Sequence, residues 1–283
     1  MSTATASVAG GRPTRVRRPA SRHNLTKGAG LGLGIMMLWF SLLVLIPLCA
    51  VVATAGENGW GTFLDALQNE QTANALKLTV VSSLVVTAVN IVMGTIIAWV
   101  LVRDRFWGKS VLNVIIDIPF ALPTVVAGLV LLALYGPSSP IGVHWAFTPK
   151  AVTLALAFVT LPFVVRAVQP VLEEIERDVE EAGASLGASR ATIFRRLILP
   201  NIAPAMAAGA ALSFARGLGE YGSVVLISGS MPRRTEVASA RMLGQIENDN
   251  LAGASAVAAV LLVVALVVII LLGVIQRRTA RRG

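Results

Sequence analysis

The sequence predicts an all-α membrane protein with six transmembrane helices, and three observations predict this class. The chain has 283 residues, of which 55% are hydrophobic and only 14% are charged. Together with a mean hydropathy of +0.74, this composition differs from that of soluble globular domains. Six apolar stretches approach the roughly 20 residues that a helix needs to cross a bilayer. Basic residues collect at both ends of the chain, which favours an even number of crossings.

The six apolar stretches follow one another along the chain. In order they cover residues 31–54, 76–102, 111–135, 151–168, 202–228 and 252–275. The fourth stretch is the shortest and contains Pro162, but its omission would place the two chain ends on opposite sides of the membrane. The first stretch is of full spanning length and has no small-residue cleavage site, which predicts a retained helix rather than a signal peptide.

Both ends of the chain carry basic residues without acidic ones. They are Arg12, Arg15, Arg17, Arg18, Arg22 and Lys27 before the first stretch, and Arg277, Arg278, Arg281 and Arg282 after the last. Because cytoplasmic segments collect positive charge, we expect both termini in the cytoplasm. Membrane lipid is an expected partner of the chain. No nucleic acid is expected, since no base-stacking aromatic pattern accompanies the charge.

The expected organisation of the chain has three parts. A basic cytoplasmic tail covers residues 1–30, a membrane domain covers residues 31–276, and a second basic cytoplasmic tail covers residues 277–283. The membrane domain contains one sizeable polar loop, at about residues 171–200, between the fourth and fifth stretches. The charge pattern places this loop in the cytoplasm.

This cytoplasmic loop contains the segment EEAGASLGASRATIFRRLILP, which predicts two short amphipathic helices around a glycine turn. Asp178 and Glu181 have the spacing of a capping box, and Gly187 is expected to end the first helix. Ser189 is expected to cap the second helix, and Pro200 to mark the start of the fifth span. Small side chains, which would let another protein approach the backbone closely, stand at Ala182, Gly183, Ala184 and Gly187.

The loop resembles the cytoplasmic EAA loop of ABC-importer permeases. The positions that carry the resemblance are Glu181, Ala182, Gly183, Gly187, Leu197, Leu199 and Pro200. Gly183 stands where alanine is common, and Leu197 where isoleucine is common. The resemblance implies the type I ABC-importer permease fold and docking of the first loop helix on an ATPase subunit dimer. The residues implied to couple the chain to that ATPase are Asp178, Glu181, Ala182, Gly183, Leu186, Gly187 and Pro200. The alternative is an ordinary amphipathic loop that lies on the bilayer.

Two further segments resemble the T-type subunit of bacterial sulfate/thiosulfate permeases. They are IDIPFALPTVVAGLVLLALYGPSSPIG, residues 116–142, and FARGLGEYGSVVLISGSMPRRTEV, residues 214–237. The resemblance implies import of sulfate, together with thiosulfate, across the bacterial plasma (inner) membrane. It implies as partners the ATPase dimer, a related W-type permease subunit that completes a heterodimeric pore, and an extracytoplasmic sulfate-binding protein. Two alternatives stay open: an ABC permease for molybdate, tungstate or another oxyanion, and an ion-coupled secondary transporter.

Residues that interrupt helices and residues that carry charge occur inside the spans. Broken helices offer free backbone N–H groups to anions, and the residues expected to break them are Pro119, Pro123, Gly217, Gly219 and Gly222. Ionisable groups within a membrane are costly, which makes functional candidates of Asp117, Arg166, Arg216 and Glu220. These features are compatible with a path for an anion.

Arg216 and Glu220 are four residues apart and can pair on one helix face. Two interpretations stay open for this pair: a structural or gating lock near the cytoplasmic mouth, and direct contact with substrate. Arg233 and Arg234, in the last outer loop, either draw the anion to the entrance or pair with Glu236 and lipid phosphates. The residues expected along the substrate path are Arg216, Gly219, Glu220, Tyr221, Gly222, Ser223, Arg233 and Arg234.

The sequence contains no pattern that predicts catalysis. The one GKS sequence, at residues 108–110, lacks the preceding glycine of a nucleotide-binding loop, because Arg103 occupies that place. His23 and His144 do not have the spacing of metal ligands, and no nucleophile lies next to a base. We therefore expect no catalytic residue, no metal and no cofactor. The chain is expected not to be an enzyme, with ATP hydrolysed on a separate subunit.

Overall fold

The computed structural model describes residues 27–57 and 59–280. Those residues form helices and connecting loops, and no strand occurs among them, which confirms the all-α class. Most of the two predicted basic tails lies outside the described residues, including Arg12, Arg15, Arg17, Arg18, Arg22, Arg281 and Arg282.

Eleven helices follow in order within the described part of the chain. They are α1 Gly28–Gly56, α2 Gly59–Gln68, α3 Glu70–Arg103, α4 Lys109–Ala121, α5 Thr124–Tyr135, α6 Pro149–Glu174, α7 Arg177–Ser185, α8 Arg190–Leu218, α9 Gly222–Ser228, α10 Ala238–Glu247 and α11 Leu251–Ala280. Five of these helices, α1, α3, α6, α8 and α11, are long and apolar enough to cross a membrane. The bent pair of α4 and α5 makes up to six, which agrees with the six predicted stretches.

The chain divides into two compact units, residues 1–48 and 49–283. The described part of the first unit is most of α1, an apolar helix in which Ser41–Leu45 forms a π-helical turn. The second unit contains the other ten helices. All the candidate site residues lie in the second unit.

The third apolar stretch is a bent pair of helices and not one straight span. Helix α4 ends at Ala121, Leu122 is extended, and α5 begins after Pro123, at 116° to α4. A proline disfavours helical backbone in the residue before it and lacks the N–H that would continue the helix, so the break falls at Pro123. The other predicted breaker, Pro119, lies inside α4.

Helix α8 corrects the prediction that Pro200 starts a new helix. The second helix of the loop and the fifth span form one continuous helix, Arg190–Leu218. Phe194–Ile198, just before Pro200, forms a π-helical turn in which the Leu199 N–H bonds to Phe194 O. The wider turn carries the helix past the proline. The fifth stretch then breaks at its far end, between Leu218 and Gly222.

Helices α3, α6 and α8 form the centre of the second unit. One buried apolar cluster lies towards the Arg103 end of α3 and contains Ala98, Leu101, Val164, Val165, Val168, Leu172, Ile193, Ile198 and Ile202. A second cluster lies towards the opposite end and contains Val86, Leu131, Ala151, Val152, Ala155, Leu156, Val224, Ile227 and Val237. Between them, Asn90 Nδ2 donates to Thr160 Oγ1 at 2.8 Å and to Ser213 Oγ at 3.3 Å. A buried amide with partners on both neighbouring helices sets the register of all three.

Candidate functional site

The predicted loop helix and glycine turn are both present, as α7 and the residues that follow it. The N–H of Gly187 bonds to Ala184 O at 2.9 Å, and the N–H of Ala188 bonds to Gly183 O at 3.1 Å. This pattern is a Schellman motif, and it requires the left-handed backbone that Gly187 adopts, with φ of +82°. Ser189 Oγ accepts from the Thr192 N–H at 3.3 Å, as expected of a cap.

The predicted capping box at the start of α7 is wrong. The N-cap residue is Glu176, without a side-chain cap, and Asp178 lies in the first helical turn. The helix begins earlier than the sequence pattern indicates because α6 ends at Glu174, which leaves only Ile175 and Glu176 in extended backbone between the two helices. At its observed place, the Asp178 carboxylate still interacts favourably with the helix dipole.

Helix α7 has one face against its own chain and one face open. The inward face includes Glu180, which lies against Arg103, and Gly183, where an added Cβ would lie 3.3 Å from Ile193 Cγ1. Gly183 therefore fits α7 against α8, and the expectation that it lies open to a partner is wrong. Pro200 lies within α8. The open face carries the predicted coupling residues Asp178, Glu181, Ala182 and Leu186, all exposed, together with Val179. Gly187, after the end of the helix, is exposed as well.

The second predicted region is the break between α8 and α9. Glu220 lies in this break and is only 2% exposed. Its Oε1 accepts from the N–H and the Oγ of Ser223, both at 2.9 Å, and its Oε2 lies 2.6 Å from Arg216 Nη1. Its backbone oxygen accepts from Ser239 Oγ at 2.7 Å. Glu220 thus caps the first turn of α9 and holds Arg216 with one carboxylate.

The two helix breaks of the second unit lie against each other. An added Cβ at Gly128 in α5 would lie 2.6 Å from Ser223 O, and one at Gly222 would collide with Thr124 Oγ1. The two glycines therefore permit the close approach of α5 and α9. The start of α5 and the start of α9 are adjacent as a result. Each helix start carries backbone N–H groups without a partner in its own helix.

The position of Arg216 corrects one interpretation. Arg190 begins α8 at the end where the loop lies, and Arg216 is near the other end, roughly 39 Å along the axis at about 1.5 Å per residue. The pair of Arg216 and Glu220 is therefore remote from the loop and does not lie near a cytoplasmic mouth formed there.

The other two ionisable residues in the spans pair with each other. Arg166 Nε and Nη2 donate to the two carboxylate oxygens of Asp117, at 2.8 and 2.6 Å. Its Nη1 donates to Asn113 Oδ1 and Gln169 Oε1, and Nη2 also donates to Asn113 O. A guanidinium has five N–H donors, so Arg166 has none left. In the part of the chain that the structure describes, Arg216 has Glu220 as its one polar partner.

The loop after α9 is fastened to the start of α3. Arg233, with φ of 62°, lies 3.4 Å from the Glu70 carboxylate, and both side chains are exposed. Glu236 accepts from Gln71 Nε2 at 2.7 Å. Of the two interpretations left open for Arg233, its pairing with Glu236 is therefore not observed, and Glu70 is its partner instead. The side chain of Arg234 is also exposed.

The contacts of four residues were not predicted from the sequence. Asn113 lies four residues before Asp117, and Gln169 three residues after Arg166, which is the spacing of neighbours on one helix face and could have indicated both. The contact of Arg103 with Glu180 joins residues far apart in the chain, and no local pattern indicates it.

Comparison with known proteins gives one family. The model of the family described as binding-protein-dependent transport system inner membrane component matches residues 90–281. The sulfate transport system permease protein CysT of Salmonella typhimurium is 39% identical over 269 residues, which are 93% of this chain and 97% of that protein. The Escherichia coli CysT is 38% identical with the same coverage, and the Synechocystis CysT is 37% identical over 80% of this chain and 82% of that protein.

The chain is also similar in fold to solved structures. A bacterial ABC transporter involved in the import of the acidic polysaccharide alginate has a TM-score of 0.72 at 18% identity, over 88% of this chain and 94% of that chain. The alginate transporter in complex with its alginate-bound periplasmic protein has a TM-score of 0.73 at 18% identity, over 88% and 93%. At this identity the likeness shows the fold alone.

Proposed function

The chain belongs to the family of binding-protein-dependent transport system inner membrane components, and from this membership we propose that it is the membrane-spanning permease subunit of an ATP-driven sulfate importer. The assignment of sulfate as substrate rests on one observation: the chain is 39% identical to a relative named for sulfate transport, over 97% of that relative's length. Thiosulfate, an anion of the same charge and similar shape, is the expected second substrate. The chain supplies the path, and a separate ATPase subunit hydrolyses ATP.

The substrate path passes the break between α8 and α9. Sulfate carries two negative charges and accepts hydrogen bonds, so it needs N–H donors without nearby free carboxylates. The start of α5 supplies backbone N–H groups, and the guanidinium of Arg216 has donors that Glu220 does not use. Gly219 and Tyr221, both exposed in the break, border this region.

Within this path, Arg216 and Glu220 have different roles. Both oxygens of the Glu220 carboxylate are engaged inside the protein and the side chain is buried, which supports a structural lock. Arg216 is 35% exposed and keeps donors free, which supports contact with the anion. Arg166 is saturated by its own neighbours and joins α4 to α6.

The exposed face of α7 docks on the ATPase dimer in the cytoplasm. Its apolar side chains include Val179, which is 44% exposed, and Leu186, which is 89% exposed. Burial of such a leucine in a partner's groove would contribute about 2 kcal/mol. With α7 inside, both termini lie in the cytoplasm, as the basic residues at each end favour.

The remaining partners follow from the same assignment. An extracytoplasmic binding protein delivers sulfate to the loop that carries Arg233 and Arg234, which are exposed at the opposite end of α8 from α7. A W-type permease completes a heterodimeric pore. Closure of the ATPase dimer moves α7 and shifts the spans from an inward-open to an outward-open state, and hydrolysis returns them.

Uptake of labelled anions tests the function. In cells that lack this chain, sulfate and thiosulfate entry should be lost, and the wild-type gene should restore both. Vanadate-sensitive uptake would support ATP as the energy source, whereas loss of uptake on collapse of the proton gradient at constant ATP would support a secondary transporter. Unchanged sulfate entry with reduced molybdate entry would contradict the substrate and favour the molybdate alternative.

A further inference from the structure

Arg103 is the last residue of α3, and it contacts both α7 and the end of α6. Its Nη2 lies 2.5 Å from Glu180 Oε1, a close ion pair without the alignment of a hydrogen bond. The same nitrogen donates to Ile175 O at 3.1 Å. In return, Arg177 Nη2 donates to Arg103 O at 2.9 Å. The name inner clamp is used below for Arg103, Ile175, Arg177 and Glu180.

The ion pair of Arg103 and Glu180 within the inner clamp is largely shielded from solvent and joined to the apolar core. The side chains of Arg103 and Glu180 are 10% and 24% exposed, so solvent screens their attraction less than that of a surface pair. The Arg103 guanidinium lies 5.8 Å from the centre of the Trp99 ring, which packs edge-on against Phe194 of α8 at 5.6 Å. Helix α7 has no fully buried residue, so it depends on the clamp and on Gly183 for its position.

Helix α3 is not adjacent to α7 in the chain, so no short loop joins the two helices. Helix α6 leads into α7 directly, and α8 follows α7 after the turn at Gly187, whereas Arg103 and Arg177 are 74 positions apart. The inner end of α3 can therefore follow a movement of α7 only through noncovalent contacts. Within the described residues, the inner clamp joins the two helices directly.

The opposite part of α3 reaches the last turn of α8, which carries Arg216 and leads into the α8–α9 break. An added Cβ at Gly217 would lie 3.1 Å from Ser83 Oγ, so α3 packs directly on the last turn of α8. From Arg103 to Ser83 the helix is continuous and spans roughly 30 Å at about 1.5 Å per residue. Helix α3 is thus one continuous helix that contacts the inner clamp at Arg103 and the last turn of α8 at Ser83.

We propose that the inner clamp transmits the movement of α7 to α3 and, through Ser83, to the last turn of α8, which carries Arg216. The inference rests on the proposed function, since it takes α7 as the helix that the ATPase moves. Arg103 and Glu180 are then positioning residues, which touch neither the anion nor ATP. A helix with contacts at both ends carries a displacement that an extended loop would absorb.

Charge reversal and charge exchange test the clamp in the reconstituted importer with its ATPase and binding protein. The variants are Arg103→Glu, Glu180→Arg and the double exchange, with Glu174→Arg as a matched control, because Glu174 is exposed at the end of α6. The readouts are co-purification of the ATPase, the sulfate uptake rate, and the number of ATP molecules hydrolysed per sulfate transported. Milder variants, Arg103→Lys and Glu180→Gln, replace any reversal that fails to insert.

The two single reversals should retain the ATPase, because its docking face is on the other side of α7. They should lower uptake at least tenfold and raise the ATP hydrolysed per sulfate, and the double exchange should recover most of both. Uptake and ATP use at wild-type values in Glu180→Arg would overturn the proposal, as would loss of ATPase binding in both single variants. Failure of the wild-type chain to bind any ATPase would instead overturn the proposed function.

Discussion

Two substitutions at Glu220 separate a lock from a residue that acts on the substrate. Glu220→Gln keeps an oxygen that can accept from the Ser223 N–H and Oγ, and it removes the ion pair with Arg216. Because Arg216 is 35% exposed, that loss should cost about 1–2 kcal/mol, between the values for exposed and buried pairs. Glu220→Ala removes every contact of the side chain and leaves two donors of the fully buried Ser223 without an acceptor. At about 1–3 kcal/mol for each such group, the alanine variant should lose about 2–6 kcal/mol in addition.

Thermal unfolding of the purified importer complex, followed by tryptophan fluorescence, measures this order of stability. Sulfate uptake by the same variants measures function. For a lock, uptake should decline with stability, so that Glu220→Gln keeps much of it and Glu220→Ala loses it. Glu247→Ala, at an exposed glutamate of α10, is the control and should change neither. A Glu220→Gln variant that is nearly as stable as wild type yet transports no sulfate would refute the lock, because the carboxylate charge itself would then be required.

Four further predictions concern the turn after α7, the exposed face of α7, the contacts of Arg166, and the orientation of the chain in the membrane. Gly187→Val should weaken co-purification of the ATPase with membrane insertion intact, because φ of +82° costs a side-chain-bearing residue about 1–2 kcal/mol; Gly187→Asn tolerates this conformation and is the control, and equal binding by both would argue against the turn. Leu186→Asp should abolish ATPase binding without a change in the stability of the chain, whereas Ala191→Asp, also exposed, should not; retained binding would exclude Leu186 from the interface. Arg166→Lys leaves three donors in place of five and should lower stability by about 2 kcal/mol, measured by thermal unfolding, with unchanged stability as the contrary result. In a Cys49→Ser background, a cysteine at Glu181 should react with a membrane-impermeant thiol reagent only in inverted vesicles and one at Arg234 only in intact cells; the reverse pattern would contradict the orientation.

The local features of the chain were predictable because each depends on residues close together in sequence. The six apolar stretches correspond to α1, α3, the α4–α5 pair, α6, α8 with α9, and α11, since a run of about 20 apolar residues is sufficient for a span. The glycine turn at Gly187 and the cap at Ser189 also formed as predicted. Two local predictions were wrong because an adjacent element overrode the local signal. The end of α6 places the start of α7 before Asp178, and a π-helical turn continues α8 past Pro200.

The arrangement of the candidate site required the tertiary structure. Sequence indicated that Arg216 and Glu220 can pair, but only packing buries Glu220 on Ser223 and leaves Arg216 with donors free. It indicated Asp117 and Arg166 as costly charges, but only the juxtaposition of α4 and α6 saturates that guanidinium. A donor count depends on which atoms lie within about 3 Å, and helical periodicity does not determine this for residues on different helices.

By itself the sequence determined the all-α class, the positions of the apolar stretches, and the first helix and glycine turn of the cytoplasmic loop. Apolar length, a glycine in left-handed backbone and a serine cap each act over a few neighbouring residues. Only the tertiary structure decided that Gly183 faces Ile193, that the two helix breaks meet at Gly128 and Gly222, and that Arg103 holds Glu180. Gly183 and Ile193 meet across the turn at Gly187. The other contacts join residues distant in the chain, and they exist because helices from separate parts of the chain pack side by side.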